Sequence, residues 1–292
     1  MSEPVKISQE MIRLYDEYTH LTLDRRDFMN KLMRLTGSAA AATTVVPLLE
    51  ANQARAAIVS EDDARLKTEN VTYSGASGEM KGYLAIAANA SGKLPAVIVI
   101  HENRGLNPHI KDVVRRMALE GFLALGPDFL SPAGGTPTAE DQARDMIGKL
   151  DQAQTVANTV ATISYLQQHP SSNGKVGAVG FCWGGGLVNQ LAVNSPELVA
   201  GVAYYGRVPE DADVPKIKAK MLLHYAGLDE RINEGIDRYR KALENAKIDH
   251  QIHVYEGVNH AFNNDTSDAR YNKDAADLAW SRTGEFLKGA LS

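Results

Sequence analysis

The segment 175–186, KVGAVGFCWGGG, constrains this chain more than any other stretch. A short apolar run reads as a buried parallel strand, ends in Gly-x-Cys-x-Gly, and gives way at Leu187–Val193 to a helical pattern. Strand, tight turn and helix in that order lift the turn residue clear of the sheet as an exposed nucleophile. Glycines flank it because a side chain would clash in so sharp a bend. The turn also aims backbone N–H groups and the positive end of a helix at Cys182, which favours the thiolate. A lone cysteine in an apolar run often serves only as a small buried hydrophobe. The catalytic reading therefore needs partners further along the chain.

The rest of the body supplies a frame for that elbow. From Val71 onward apolar runs alternate with helical patterns, the mark of βαβ units and a mostly parallel sheet with helices on both faces, an α/β fold. Val71–Ser74 and Met80–Ala87 read as an antiparallel pair. Ala96–Ile100 is apolar throughout, as a central strand covered on both sides must be. Further strands are expected at Phe122–Leu125, Val199–Tyr205, Met221–Tyr225 and Ile252–Tyr255. Helices are expected at Ile110–Glu120, over much of 139–168, near 233–246 and at Ala275–Ala290. No linker interrupts this run, so residues 57–292 are expected to form one domain.

Two downstream residues complete a nucleophile–acid–histidine order. Asp229 follows the apolar strand Met221–Tyr225, and His260 follows the last strand. In such an arrangement His260 accepts the Cys182 proton and returns it to the leaving group, while Asp229 fixes the imidazole tautomer. Each has an ordinary alternative, because loop aspartates cap helices and loop histidines are usually solvated. His224 and His253 fall within strands and read as packed, and His101 stands beside the site. With one cysteine and no CxxC or HExxH spacing, no disulfide, metal or cofactor is expected. The net charge of −5 offers no basic face for nucleic acid.

Residues 1–56 read differently. An amphipathic helix through Met11, Leu14, Tyr15 and Tyr18 precedes Asp24-Arg25-Arg26-Asp27-Phe28-Met29, which resembles a twin-arginine export motif. A mild apolar stretch, Ala39–Leu49, broken by Pro47, leads to Ala54-Arg55-Ala56, a small-x-small cleavage pattern. That stretch is too short and weak for a transmembrane helix, so no integral membrane span is expected. Export to the periplasm through the twin-arginine machinery is the first expectation. The alternative is a cytoplasmic protein whose retained arm docks on the body or on a second subunit.

The motifs Gly180-Phe181-Cys182-Trp183-Gly184-Gly185, Gly227-Leu228-Asp229, His260-Ala261-Phe262 and His101-Glu102-Asn103-Arg104-Gly105 resemble the dienelactone hydrolase (carboxymethylenebutenolidase) family, over roughly Val71–Leu287. The resemblance implies an α/β-hydrolase fold and attack by thiolate on an ester or lactone, with an oxyanion hole from the backbone N–H groups of Trp183 and Asn103. It also implies that Glu102 contacts the resting thiol and modulates its ionisation. Members that open dienelactone hold its carboxylate with arginines, yet neither Asp128–Pro132 nor His260–Asn264 contains one. A small ester or lactone other than dienelactone is therefore the expected substrate, with Arg104 as a cation from another direction or as part of a structural pair. A broad carboxylesterase, thioesterase or peptidase with the same triad is the alternative within the fold. A non-catalytic binding protein is the alternative outside it.

Overall fold

The computed structural model describes residues 7–50, 52 and 57–292. Three helices come first: α1 (Gln9–Thr19), α2 (Arg25–Thr36) and α3 (Ala39–Leu49). Side chains of Ser8, Asp24 and Ser38 each accept from the backbone N–H of the third residue of the helix that follows, which fixes where each begins. Gly37, at φ +80°, ends α2 in the left-handed conformation that glycine tolerates best. Met11, Leu14, Tyr15, Phe28, Leu32, Val45 and their neighbours bury against one another as a small core of their own. Pro47 does not break α3 as its sequence suggests. It lies inside the helix two residues before its end, where it removes one backbone hydrogen bond and crowds the preceding turn without stopping the helix. The Ala54–Ala56 pattern lies outside the described residues. Among the described residues no single helix is long and apolar enough to cross a membrane.

The sheet begins with β1 (Leu66–Ser74) and β2 (Glu79–Ala87), followed by β3 (Leu94–Ile100), α4 (Pro108–Leu119) and β4 (Leu123–Asp128). Then come α5 (Glu140–Ile147), α6 (Gln152–Gln168), β5 (Ser172–Phe181), α7 (Trp183–Asn194) and β6 (Leu198–Tyr204). The chain closes with β7 (Lys220–Ala226), the short α8 (Glu230–Asn233), α9 (Ile236–Asn245), β8 (His250–Tyr255) and α10 (Lys273–Leu291). Strand order is β1-β2-β4-β3-β5-β6-β7-β8, antiparallel across the first two pairings and parallel from β4 onward. The expected strands and helices are all present, with two refinements. The helical stretch over 139–168 splits into α5 and α6, and the one near 233–246 into α8 and α9.

Alternation along β3 shows how the layers form. Ala96, Ile98 and Ile100 belong to the buried cluster on the α6 and α7 side, whereas Val97 and Val99 belong to the cluster on the α4 side. A strand buried on both faces has no polar positions to spare, which explains its unbroken apolar run. The parallel register then brings the C-terminal ends of β3, β5, β7 and β8 to one rim of the sheet.

Glycines set how closely α7 approaches that rim. A Cβ on Gly180 would stand 2.2 Å from the Gly184 carbonyl oxygen, and one on Gly184 would stand 2.5 Å from the carbonyl oxygens of Ile100 and His101. Gly180→Ala is expected to lower stability by about 2 kcal/mol or more, because rigid backbone must move to admit the methyl group. Gly289→Ala, in α10 with nothing within 4 Å of the added methyl, is expected to be neutral or slightly stabilising. Thermal melts of the two variants check the contrast.

Candidate active site

Cys182 sits between β5 and α7 at φ +56°, a strained conformation for a residue with a Cβ. The flanking hydrogen bonds hold it there: its N–H donates to the Tyr204 carbonyl at 3.0 Å, and its carbonyl accepts from Gly186 N–H at 3.1 Å. Trp183 is the first residue of α7, so its N–H belongs to the unpaired first turn, beside the sulfur. The indole stacks on the buried His101 ring at 5.2 Å. His101 in turn bonds the Glu102 carbonyl through Nδ1 and accepts from Phe129 N–H, so it is a packed residue that braces the rim.

Asp229 and His260 come to the same place from two later strands. His260 Nδ1 donates to Asp229 Oδ2 at 2.5 Å, with both residues buried. Asp229 also caps α8, since its Oδ1 accepts from Ile232 N–H at 3.3 Å. The capping role and the pairing role coexist, one on each carboxylate oxygen. His260 Nε2 is buried without a hydrogen-bond partner and lies within 4.8 Å of Cys182 Sγ. The His260 ring packs on Tyr205 at 4.7 Å.

Charge in this buried cluster is strongly organised. Burial opposes an imidazolium at His260, but the Asp229 carboxylate and the neighbouring Cys182 sulfur outweigh it and push the ring up to about 10. Burial likewise disfavours the Asp229 anion, yet His260 holds that carboxyl below its ordinary range. Burial raises the Tyr205 phenol far above its ordinary value, with Glu102 and Cys182 adding to the effect.

The N-terminal helices close over this site. Asn103 Nδ2 donates to the Thr19 carbonyl at 2.6 Å, and Arg270 pairs with Asp16 at 3.2 Å while lying 5.1 Å from the Tyr15 ring centroid. Tyr18 donates to Asp141 at 2.8 Å and lies beneath the Arg144 guanidinium. The turn after α1 places His20 Nε2 3.2 Å from Cys182 Sγ, with the ring edge-on to His260. Burial, with His260 and Arg231 nearby, holds His20 well below the ordinary imidazole range. Nothing in the linear sequence marks His20, which lies 162 positions before the cysteine it touches.

Glu102 and Arg104, the two remaining expected site residues, both line the small pocket that holds Cys182, and Arg104 takes the structural-pair alternative. Glu102 lines the same small pocket as Cys182, but its carboxylate accepts from Asn264 Nδ2 at 2.8 Å, and the side chain bonded to the thiol is His20. Arg104 is buried and committed to Asp141 at 3.5 Å, Glu140 at 3.9 Å and the Tyr15 hydroxyl at 3.3 Å. Its guanidinium anchors the arm and α5. A second cavity of about 460 Å³ opens beside the thiol between arm and body, lined by Thr19, Trp183, Tyr205, Arg207 and Arg231 among others.

An eight-stranded sheet with the elbow on β5 and the acid and histidine after β7 and β8 defines an α/β-hydrolase. Comparison with known proteins narrows this. The model of the dienelactone hydrolase family matches residues 80–291, and the chain belongs to that family of hydrolases acting on ester or lactone bonds. A second model, described as YqhI-like, matches residues 4–34. A protein of Saccharolobus solfataricus provisionally named carboxymethylenebutenolidase is 34% identical over 256 residues, covering 75% of this chain and 98% of its own. One of Escherichia coli K12 with the same provisional name is 32% identical over 223 residues, covering 72% and 82%. A crystal structure from Klebsiella pneumoniae, provisionally named a dienelactone hydrolase, superposes with a TM-score of 0.68 at 30% identity, over 75% of this chain and 96% of that one.

The raised His260 value carries a testable sign. A histidine whose folded value exceeds its unfolded one contributes stability that is complete below about pH 6.5 and lost as pH rises through about 10. Imidazole NMR signals of His260 should therefore stay in the protonated form up to about pH 10. In Asp229→Asn burial prevails, and the midpoint should fall by about 1–3 pH units. An unchanged midpoint would show that Asp229 is not the cause.

Proposed function

We propose that this protein hydrolyses small esters or lactones through Cys182, His260 and Asp229, by way of a thioester on Cys182. The observation that carries the reading is the buried Asp229–His260 pair at 2.5 Å, with Nε2 facing a sulfur held at a strained elbow. The proton given up by the thiol resides on His260, which the raised value of that ring favours, and the thiolate attacks the carbonyl carbon. The oxyanion forms against the backbone N–H groups of Trp183 and Asn103, each such donor contributing on the order of 3 kcal/mol. The tetrahedral intermediate collapses, the alkoxide leaves with the proton from His260, and the thioester remains. Water then attacks, His260 serving again as base, and releases the acid. In a lactone the alcohol stays tethered and the ring opens. Cys182→Ala is expected to abolish turnover of an activated ester, and intact mass after brief exposure should show one acyl group on the native protein and none on the variant. Undiminished turnover in the alanine variant would refute this assignment.

The chain is not specialised for dienelactone, because the positions after Asp128 and His260 lack the arginines expected of such a site. Cations of the cavity wall come instead from Arg207 and Arg231, both exposed, and from Arg144, which is already paired with Asp141 and Asp145. Esters carrying a carboxylate away from the scissile bond suit that wall. A charge-assisted hydrogen bond contributes about 1.5–3 kcal/mol. Arg207→Ala and Arg231→Ala should therefore raise KM for an anionic ester roughly 10-fold each, leaving a neutral ester of similar size nearly unaffected.

Residues 7–49 we read as a retained docking arm in preference to an export leader, on the strength of the half-buried Asp16–Arg270 pair and the Thr19–Asn103 bond. The mass of the native protein, isolated from whole cells and from the periplasm, decides the matter. A full-length N-terminus supports the arm. A start near Ala57 supports twin-arginine export.

A further inference from the structure

Ester hydrolysis by Cys182, His260 and Asp229 makes no use of His20. Its Nδ1 lies 2.7 Å from the Asp16 carbonyl oxygen, which can only accept, so Nδ1 carries the proton and the Nε2 lone pair points at Cys182 Sγ, 3.2 Å away. His260 repeats the arrangement: Nδ1–H is held by the Asp229 carboxylate, and a buried Nε2 with no hydrogen-bond partner turns to the same point. Sulfur and both nitrogens lie within 4.8 Å of one another. Three soft-to-borderline donors thus converge on one spot.

We propose that His20, Cys182 and His260 form a binding site for a thiophilic divalent cation of the zinc type, completed by the docked arm, and that the metal reversibly blocks the thiol. Zinc bonds of about 2.3 Å to sulfur and about 2.0 Å to nitrogen, at tetrahedral angles, set donor separations of about 3.3–3.6 Å. The His20–Cys182 contact is already near that range, and the third donor, within 4.8 Å of the other two, needs a shift of at most about 1.5 Å. Each histidine donates its outer N–H to an oxygen, the support that metal-bound imidazoles ordinarily have. The fourth position faces the cavity of about 460 Å³, open to water. Thiolate with imidazole selects zinc-like ions over magnesium or calcium. On binding, the Cys182 sulfhydryl proton, and any proton on His260 Nε2, pass to solvent as the metal bonds form, with no change of oxidation state. The sulfur lone pair and the base are then both occupied, so attack on a carbonyl stops.

The experiment uses untagged full-length protein prepared with a chelator and titrated with Co²⁺ and then Zn²⁺. Binding of one Co²⁺ per chain should give a thiolate-to-cobalt charge-transfer band with tetrahedral d–d absorption, and Zn²⁺ should displace it. Stoichiometric zinc should block alkylation of Cys182, and the chelator should restore it. His20→Gln should weaken zinc binding roughly 100-fold, since it removes a ligand where loss of an outer-shell contact alone costs 10–100-fold. His20→Cys, which keeps a soft donor, should retain binding. Absence of a charge-transfer band in the native protein, or equal zinc affinity in native and His20→Gln proteins that melt alike, overturns the proposal. Ester turnover in chelator is measured alongside, so a failed metal site and a failed hydrolase reading give different results.

Discussion

The close approach of α7 to the sheet is the constraint on which this structure depends. Gly180, Gly184 and Gly185 each leave backbone atoms where a Cβ would stand within 2.5 Å of another residue's backbone. That contact holds Cys182 at φ +56° and ψ −113°, a sparsely populated conformation that costs about 1–3 kcal/mol for a residue with a side chain. The strain persists because parallel pairing of β5 with β3 and with β6 fixes both sides of the turn. The same register aligns the ends of β3, β7 and β8 with the elbow. Glu102, Asp229 and His260 therefore arrive as a consequence of sheet geometry, without any long loop having to search for the cysteine.

The N-terminal arm obeys a different economy. Its apolar side chains are largely satisfied within its own three helices, where Phe28 stacks on Tyr18 at 4.7 Å and Leu32 and Val45 are fully buried. Among the described residues, Ala269 is the one body residue packed against that apolar cluster. Attachment to the body rests mostly on polar groups: Asp16 on Arg270, Tyr15 on Arg104, Tyr18 on Asp141, Asn103 on Thr19. Exposed pairs such as Arg13–Glu230 add little. The buried ones matter more, because an arginine left without its partner in a closed site is costly. Hence the arm's position is specific even though its hydrophobic core is not shared with the sheet.

This division also marks what could be read from the chain alone. Alternating apolar runs, the glycine frame around Cys182 and the order cysteine, aspartate, histidine are sequence patterns, and each corresponds to an element of the fold or to residues that the fold brings together. Even the two roles of Asp229 were visible as alternatives, since an N-cap and a histidine partner use different oxygens of one carboxylate. What escaped depends on docking. Arg104 reads in sequence as either a free cation or half of a structural pair, and the choice is hidden because Tyr15 and Asp141, which engage it, lie 89 and 37 positions away. Glu102 gives no sign that Asn264, 162 residues later, holds its carboxylate. His20 sits in a turn with no periodicity to mark it, and only the packing of α1 on the body reveals its target.

Two imidazoles facing one thiol are unequal, and their outer partners decide how. Behind His260 stands a full negative charge, Asp229, which outweighs burial and favours the protonated ring. Behind His20 stands only the Asp16 carbonyl dipole, while burial and the cationic neighbours His260 and Arg231 press the ring toward neutrality. When the sulfur gives up its proton, His260 is therefore the better acceptor, and His20 keeps a fixed lone pair beside the anion. Such a lone pair repels a bare thiolate. It is satisfied by a sulfhydryl proton or by a cation shared with the sulfur, so a docked arm favours the resting thiol or a metal-bound thiolate over the free nucleophile. In the mechanism proposed above, attack on a carbonyl would proceed with the sulfur turned toward His260, away from the histidine that the arm supplies.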